Sequence, residues 1–286
     1  MIEWYLLVLI SALLMGFYTI FEKMLLKSSH ASAFISSISV IIALLSLLFI
    51  PLANFDISIY ELALIYLISL ISTISNIMVA RSYKHGNISV TSPLLSSIPQ
   101  FLVVLFAFMF LGEQLGIIQY ISIAVLLVMV YLIVAVGKTD GKFLGGKKYV
   151  YFLIIAILFM SIGAILAKYV LYTVNPFTFF ILISVFLALN LSLYMHFHYG
   201  GIKEIYSNIK TYKFYMLLMA LMVVVYRLTY YLAIAAEYVS IVSPMRNALN
   251  VVVTVFIGGI IFKENDIKKK LAFSLILIFA IYFLVT

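Results

Sequence analysis

Long apolar runs follow one another along this chain, separated by short polar or basic stretches. Each run has the ~20 residues that a helix needs to cross the ~30 Å hydrocarbon core of a bilayer, and the apolar–polar alternation of membrane strands is absent. Turn-forming residues bound several runs: Pro51 ends the second and Asn175-Pro176 precedes the seventh. The pattern predicts an all-α polytopic membrane protein with ten transmembrane helices. Their expected ranges are 3–26, 33–53, 60–80, 89–111, 117–136, 149–173, 177–199, 213–235, 240–262 and 269–286.

Composition excludes a soluble enzyme. Of the 286 residues, 66% are hydrophobic and 10% are charged, whereas soluble domains have about 45–50% and 25%. The chain has no cysteine, which excludes disulfides, thiol catalysis and thiolate metal sites. The first apolar run has no basic segment before it and no small-residue cleavage site after it. We therefore interpret it as a retained helix and not as a signal peptide.

Residues of the first half recur in the second half in the same order. Lys23 falls on Lys168 at an offset of 145 residues. The pairs at an offset of 151 residues are Ser89 with Ser240, Ser92-Pro93 with Ser243-Pro244, and Glu113 with Glu264. The series predicts two five-helix repeats, residues 1–137 and 149–286, joined by a cytoplasmic linker at 138–148.

Because five is an odd number, the second repeat must enter the membrane inverted. The loop cations support this arrangement, since all fourteen lie on one face of the ten-helix arrangement. They are Lys27, Arg81, Lys84, Lys138, Lys142, Lys147, Lys148, Lys203, Lys210, Lys213, Lys263, Lys268, Lys269 and Lys270. The positive-inside rule makes this face cytoplasmic and places both termini outside the cytoplasmic membrane.

Inverted repeats are typical of secondary transporters, which bind substrate at the repeat interface and expose it alternately to the two sides. The segment Ser89-Val90-Thr91-Ser92-Pro93, its counterpart Ser240-Ile241-Val242-Ser243-Pro244, and the glutamates Glu113 and Glu264 resemble the drug/metabolite transporter superfamily, in particular its EamA-type branch. The resemblance implies ten helices and transport of a small metabolite. The chain departs from the pattern in having Asn250 at the counterpart of Pro99, and in the external termini that its charges predict.

Two arginines interrupt apolar helices, where a charge costs about 2.5–3.5 kcal/mol. Arg227 and Arg246 are ten and nine residues from Glu237, in the turn between the eighth and ninth helices, so we expect them at similar depth. Such a pair fits a carboxylate, a phosphate or another anionic group. The alternative is that each arginine binds carbonyls freed by the Ser-Pro kinks or faces a water-filled vestibule.

Other polar and aromatic residues recur near the arginines at helical spacing. They either line a central substrate cavity or join helices by hydrogen bonds worth about 0.6 kcal/mol each. The expected cavity residues are Arg227, Arg246, Asn247, Ser243, Asn250, Tyr230, Tyr231, Ser92, Ser96, Gln100, Asn76 and Lys168. Lys168 would lie at the outer end of its helix, where its charge also suits the helix dipole.

The favoured function is a secondary transporter of amino acids or organic anions, with no cofactor, no metal and no nucleic acid as partner. A multidrug-type exporter needs a membrane carboxylate, and the only candidate, Glu22, lies near a helix end beside Lys23. A lipid-carrier flippase and a structural membrane protein stay open, as does a homodimer. An intramembrane protease is disfavoured because the chain has neither H-E-x-x-H nor paired aspartates within its spans. No mid-membrane carboxylate is predicted, so facilitated exchange and proton coupling have equal weight.

The remaining loop and helix-end groups have simple interpretations. Glu113 and Glu264 are expected to cap the next helix or to pair with nearby lysines. His196 and His198 have no third ligand nearby, which disfavours a metal site.

Overall fold

A computed structural model describes residues 3–26, 30–85, 88–136, 146–199, 201–262 and 267–285. These ranges form eleven α-helices. They are α1 (Trp4–Leu26), α2 (Ala31–Ser46), α3 (Ile59–His85), α4 (Ile88–Phe106), α5 (Ile117–Val136), α6 (Gly146–Val170), α7 (Pro176–His198), α8 (Ile202–Thr211), α9 (Lys213–Ala236), α10 (Val239–Phe262) and α11 (Ile267–Val285). A 3-10 segment, Leu47–Leu52, extends α2, and a π-helical segment, Ala107–Leu111, extends α4.

The structure corrects two details of the predicted pattern. Helix α8 lies in the polar stretch between the seventh and eighth predicted helices, where no helix was expected. It buries Ile205 and exposes Lys203 and Tyr206, so it is too short and too polar for a hydropathy pattern to detect. Several cations predicted in loops lie in the first or last turns of helices: Arg81 and Lys84 in α3, Lys147 and Lys148 in α6, Lys203 and Lys210 in α8, Lys213 in α9, and Lys268, Lys269 and Lys270 in α11.

Seven helices of the described chain are long and apolar enough to cross a membrane, namely α1, α2 with its 3-10 extension, α3, α6, α7, α9 and α10. Shorter apolar helices span Ser97–Leu111 and Ile117–Leu132. Large apolar side chains such as Leu48, Phe110 and Phe279 are 73%, 68% and 68% exposed. A water-soluble monomer rarely exposes so much apolar surface. The chain is a multi-pass membrane protein.

Local chemistry sets the start of α7 and the end of the α4 extension. The Asn175 side-chain oxygen accepts hydrogen bonds from the backbone N–H groups of Phe177 and Thr178, and Pro176 occupies the first helical position. Gly112 ends the π segment with φ +67°, a left-handed conformation that glycine adopts without a steric penalty. These caps satisfy backbone groups that lipid cannot.

The helices of the two halves interleave. Helix α3 packs on α6 and α7, α1 packs on α9 and α10, and α4 packs on α6 and α10. Helix α2 contacts α7 and α9, and α5 contacts α11. Side chains from both halves, including Phe34, Phe179 and Phe180, are fully buried between them. Polar side chains on α3, α4, α9 and α10 are thereby brought to one place.

Candidate functional site

A cavity of about 200 Å³ lies among α1, α3, α4, α6, α7, α9 and α10. Helices of both halves therefore contribute to its wall. Its polar lining residues are Ser72, Ser75, Asn76, Gln100, Tyr226, Arg227, Tyr230, Tyr231, Ser243 and Arg246. Met15, Met160 and Ile183 are among the apolar lining residues, so polar and apolar side chains contribute about equally to the wall. Small-molecule sites also combine apolar surface with convergent polar groups.

Arg227 reaches the cavity from the middle of α9. Its guanidinium donates a hydrogen bond to the Tyr226 hydroxyl and lies near the phenols Tyr18 and Tyr231. The Tyr231 ring is held in turn by Phe179, at 4.9 Å between ring centroids in an edge-to-face arrangement. The protein therefore fixes the position of this charge through a group of aromatic side chains.

Arg246 reaches the same cavity from α10. Its Cζ atom lies 3.7 Å from the centroid of the Tyr230 ring, which is a close cation–π contact. The Tyr230 hydroxyl donates a hydrogen bond of 3.4 Å to Ser243 Oγ, which orients the ring. Arg246 Nε is buried and has no hydrogen-bond partner among the described residues. A guanidinium stacked on its face keeps its N–H edge available for an anionic group.

The acceptors around the arginines come from amide side chains. Gln100 lines the cavity, is 5% exposed, and its Oε1 atom has no hydrogen-bond partner among the described residues. The Asn76 amide nitrogen donates a hydrogen bond to the Ser72 carbonyl. The amide oxygen of Asn76 is not used in this bond and can accept a hydrogen bond from another group. The cavity therefore offers two cations and a small number of amide acceptors.

The start of α10 is fixed by a carboxylate from the other half. Glu113 is 2% exposed and accepts hydrogen bonds of 3.0 Å from the backbone N–H groups of both Val239 and Ser240, and a short one from Ser240 Oγ. Glu113 was expected to cap the next helix, α5, and the structure corrects this, because the side chain crosses to α10. Its negative charge at the helix N-terminus favours the position of α10, and hence of Arg246.

The geometry of the cavity and the helical fold can be compared with known proteins. Residues 2–135 match the model of the EamA-like transporter family. The first half of the chain is therefore similar to EamA-like transporters. The predicted resemblance to the drug/metabolite transporter superfamily is confirmed. No curated protein is similar to the chain at a significant level.

The EamA-like chain also has the fold of a solved protein. One crystal structure is similar with a TM-score of 0.70 and 12% sequence identity, over 97% of this chain and 94% of the other. At this identity the similarity concerns the fold alone. It extends over both halves of the chain, including α6 to α11, which lie outside the family match.

The structure brings together seven of the twelve predicted cavity residues: Arg227, Arg246, Tyr230, Tyr231, Ser243, Gln100 and Asn76. Asn247 and Asn250 are buried on α10, but they are not in the cavity wall. The Asn247 amide nitrogen donates to the Ser243 carbonyl, and the oxygens of both amides have no hydrogen-bond partner among the described residues. The side chains of Ser92 and Ser96, like that of Lys23 and all of Glu264, lie outside the described residues.

Lys168 is placed away from the cavity. Its Nζ atom donates hydrogen bonds to the carbonyl oxygens of Ile234, at 2.7 Å, and Glu237, at 3.0 Å, and lies 4.8 Å from the Tyr172 ring centroid. Its neighbour Ala167 lines the cavity instead, because consecutive helical residues point in different directions. Lys168 therefore satisfies carbonyls at the end of α9. Burial, together with the nearby charge of Glu113, raises the pKa of Tyr172.

Sequence reasoning missed three polar features of the EamA-like chain. Ser72 and Ser75 join Asn76 in the cavity wall, and their spacing along α3 is that of one helix face, which is a signal the sequence contains. The third is Glu22, which was set aside as a helix-end residue. Glu22 is 7% exposed and accepts a hydrogen bond from Tyr18.

Proposed function

We propose that this protein is a secondary transporter of small anionic or zwitterionic metabolites, in particular organic anions or amino acids, and not an enzyme. The observation that carries the proposal is the convergence of Arg227 and Arg246 on one cavity at the interface of the two halves. Two like charges in a low-dielectric site are stabilised by an anion between them. Arginine can bind a carboxylate through two parallel hydrogen bonds.

Alternating access follows from the proposed inverted repeat of ten crossings, which helix packing supports. The proposed repeat pairs α1 with α6, α2 with α7, α3 with α9, α4 with α10 and α5 with α11. Under this pairing, the contact of α3 with α6 corresponds to that of α9 with α1, and the contact of α4 with α6 corresponds to that of α10 with α1. Both members of each exchanged pair are present. The contacts of α2 with α7, α4 with α10 and α5 with α11 are their own counterparts.

Two individual contacts agree with the sequence offsets. Ser161 Oγ donates a 3.2 Å hydrogen bond to the Pro99 carbonyl, and this joins α6 to α4. The offsets of 145 and 151 residues relate these two residues to Gly16 and Asn250. Gly16 packs against α10, where an added Cβ would lie 3.4 Å from Asn250 Oδ1. The two halves therefore make equivalent contacts at equivalent positions.

Cavity size and chemistry favour a small substrate. A volume of about 200 Å³ is below the ~300–1,000 Å³ usual for drug-sized ligands, which favours a metabolite over a drug or a lipid head group with its chains. The Gln100 oxygen lacks a partner among the described residues and suits a donor such as an ammonium group, which favours an amino acid among the anionic candidates.

A size-matched series of charges tests the proposal. Purified protein is titrated calorimetrically with benzenesulfonate, benzenesulfonamide, benzyltrimethylammonium and phenylalanine, and binders are followed as radiolabels into proteoliposomes. We expect benzenesulfonate and phenylalanine to bind and to be transported, and the neutral and cationic compounds to be rejected. Preference for the cation would overturn the proposal in favour of a multidrug-type exporter. The proposal would also be overturned if neither benzenesulfonate nor phenylalanine bound.

The proposed orientation, with external termini in the cytoplasmic membrane, has its own test. The chain has no native cysteine, so single cysteines report accessibility without background. Asp56→Cys, in the exposed segment between α2 and α3, and Lys203→Cys, on the exposed face of α8, lie on opposite predicted faces. We expect an impermeant maleimide to label Asp56→Cys on intact cells and Lys203→Cys only after lysis. The reverse pattern would make the orientation wrong.

A further inference from the structure

Glu22 is a buried carboxylate linked to the cavity arginine. Met15, Tyr18 and Glu22 lie on one face of α1 at helical spacing, and Met15 is part of the cavity wall. Glu22 accepts a hydrogen bond from Tyr18 and lies within electrostatic reach of Arg227. The rings of Tyr18 and Tyr226 are 5.8 Å apart, and Tyr226 in turn accepts from Arg227. A continuous set of polar groups thus joins the cavity to the end of α1.

The surroundings of Glu22 make its negative charge dependent on Arg227. The side chain is 7% exposed, and Glu22 lies in the last turns of α1, where the helix dipole disfavours an anion. The titratable groups around it are Tyr18 on α1, Arg227 and Tyr226 on α9 and, beside Tyr18, Tyr83 on α3.

Helix α10 also packs against α1, and its described contact residues near Gly16 are uncharged. Helix α10 faces Gly16 with the uncharged residues Val253 and Asn250, and Arg246 of α10 stacks on Tyr230 instead. Lys23 follows Glu22 in the chain, and its side chain lies outside the described residues. Arg227 is therefore the cation that the described structure provides for Glu22.

We propose that Glu22 is the proton-carrying group of this transporter, and that an anion bound at Arg227 drives proton uptake by Glu22, so that anion and proton cross together. This inference rests on the proposed function. Before binding, the Glu22 carboxylate balances the Arg227 guanidinium. A substrate anion held between Arg227 and Arg246 would add a second negative charge near the Glu22 carboxylate, and in a low-dielectric site this disfavours the ionised form of Glu22. A proton taken from water by Glu22 restores the balance, and the Glu22 hydroxyl then donates to Tyr18.

The inference changes the interpretation of coupling. The sequence offered no mid-membrane carboxylate, so exchange and proton coupling had equal weight. The structure provides one carboxylate at the end of α1, buried and linked to the cavity by Tyr18. Uptake of one proton with each monovalent anion makes transport electroneutral, and an inward proton gradient would then drive accumulation of the anion.

Calorimetry with benzenesulfonate tests the coupling directly. A sulfonic acid is stronger than a carboxylic acid, so this probe stays ionised between about pH 6 and pH 8, a range that lies above the usual pKa of a carboxyl group. The heat of binding, measured in buffers of different ionisation enthalpy, gives the number of protons taken up. We expect close to one proton for the natural protein, and an affinity that rises up to about tenfold for each pH unit of acidification. We expect Glu22→Gln to bind with no proton uptake and no pH slope.

Two further variants complete the design. Glu204→Gln removes an exposed carboxylate from α8 and should keep the full proton uptake and pH slope. Tyr18→Phe removes the hydroxyl between Glu22 and Arg227 and should reduce both. The four histidines titrate in the same pH range but are present in every variant. The comparison of Glu22→Gln with Glu204→Gln therefore isolates Glu22.

The possible outcomes separate the coupling from the proposed function. Binding of benzenesulfonate by the natural protein without proton uptake would overturn the coupling and leave the anion site intact. Proton uptake that persists in Glu22→Gln would also overturn the role of Glu22. Failure of benzenesulfonate to bind at any pH would overturn the anion site and the coupling together. If Glu22→Gln does not fold, the coupling is tested by comparing the proton uptake of the natural protein with that of Tyr18→Phe.

Discussion

Arg227 and Arg246 line one cavity from neighbouring helices, but their surroundings differ. Arg227 has Tyr226 as a hydrogen-bond partner and the buried Glu22 within electrostatic reach. Arg246 lies 3.7 Å from the Tyr230 ring centroid, and its Nε has no hydrogen-bond partner among the described residues. The described structure gives Arg227 a phenol partner and a nearby carboxylate, whereas it gives Arg246 an aromatic face.

The difference suggests separate tasks for two residues of the same type. Buried charges are generally paired, so Arg246, whose Nε has no hydrogen-bond partner among the described residues, is the better candidate for the main ligand contact. An arginine already paired with a carboxylate changes its balance when a second anion arrives. We therefore expect Arg246 to supply most of the affinity and Arg227 to connect binding to Glu22.

The largest expected effect comes from Arg246→Gln. Loss of a charged, cavity-facing donor set should weaken benzenesulfonate binding about 100-fold, which corresponds to about 2.7 kcal/mol. Arg81→Gln is the matched control, because Arg81 binds the hydroxyls of Tyr194 and Tyr199 and does not line the cavity. The benzenesulfonate affinities of the two variants are measured by calorimetry and compared. An equal loss in both variants would contradict the importance of Arg246.

Arg227→Gln should weaken binding by about tenfold at neutral pH, because one of the two cavity cations is lost while Arg246 still contacts the anion. It should also remove the pH dependence of the affinity, because Arg227 is the cation that interacts with both Glu22 and the bound anion. Calorimetry at several pH values measures both effects. A normal pH slope in Arg227→Gln would show that the two arginines do not have separate tasks.

Tyr230→Leu should weaken binding about fivefold. The substitution keeps an apolar contact but removes the aromatic face on which Arg246 lies, a loss of about 1 kcal/mol. Tyr226→Leu, on the Arg227 side, is the comparison variant and should change the pH slope more than the affinity at low pH. Identical effects of the two substitutions would remove the distinction between the sides.

Gln100→Leu should have the smallest effect, and only on one ligand. Loss of the amide acceptor should weaken phenylalanine binding about threefold, within the ~0.5–1.5 kcal/mol usual for one hydrogen bond, and should leave benzenesulfonate unchanged. Each ligand is the control for the other in the same preparation. Parallel losses for both ligands would mean that Gln100 acts on the shape of the cavity and not on the ammonium group.

Much of the helical pattern and part of the cavity could be predicted from the sequence. Ten of the eleven helices of the described chain lie close to their predicted ranges, because hydropathy is a local property. The convergence of Arg227 and Arg246 followed from their similar distances from Glu237 along two antiparallel helices. Helix α8 was not predicted because ten amphipathic residues do not produce a hydrophobic run long enough to cross a membrane.

Other residues could not be placed by local reasoning. Glu113 looked like a cap for its own neighbouring helix, but it binds the start of α10, more than a hundred residues away. Lys168 looked like a cavity residue through its repeat partner, but it binds the end of α9. Glu22 looked like a helix-end residue beside Lys23, but the packing of α1 against α9 buries it. Each depends on which helices become neighbours.

The sequence alone therefore determined that this protein is folded in lipid, where its long helices lie, and that its two arginines meet at one cavity. Apolar length and helical rise decide these features within each segment. Only the tertiary structure decided that Glu22 lies near Arg227, that Arg246 stacks on Tyr230 and that Lys168 is remote from the cavity. Lipid solvates apolar helix faces as well as another helix does, so close packing and a few polar contacts between distant segments choose the neighbours.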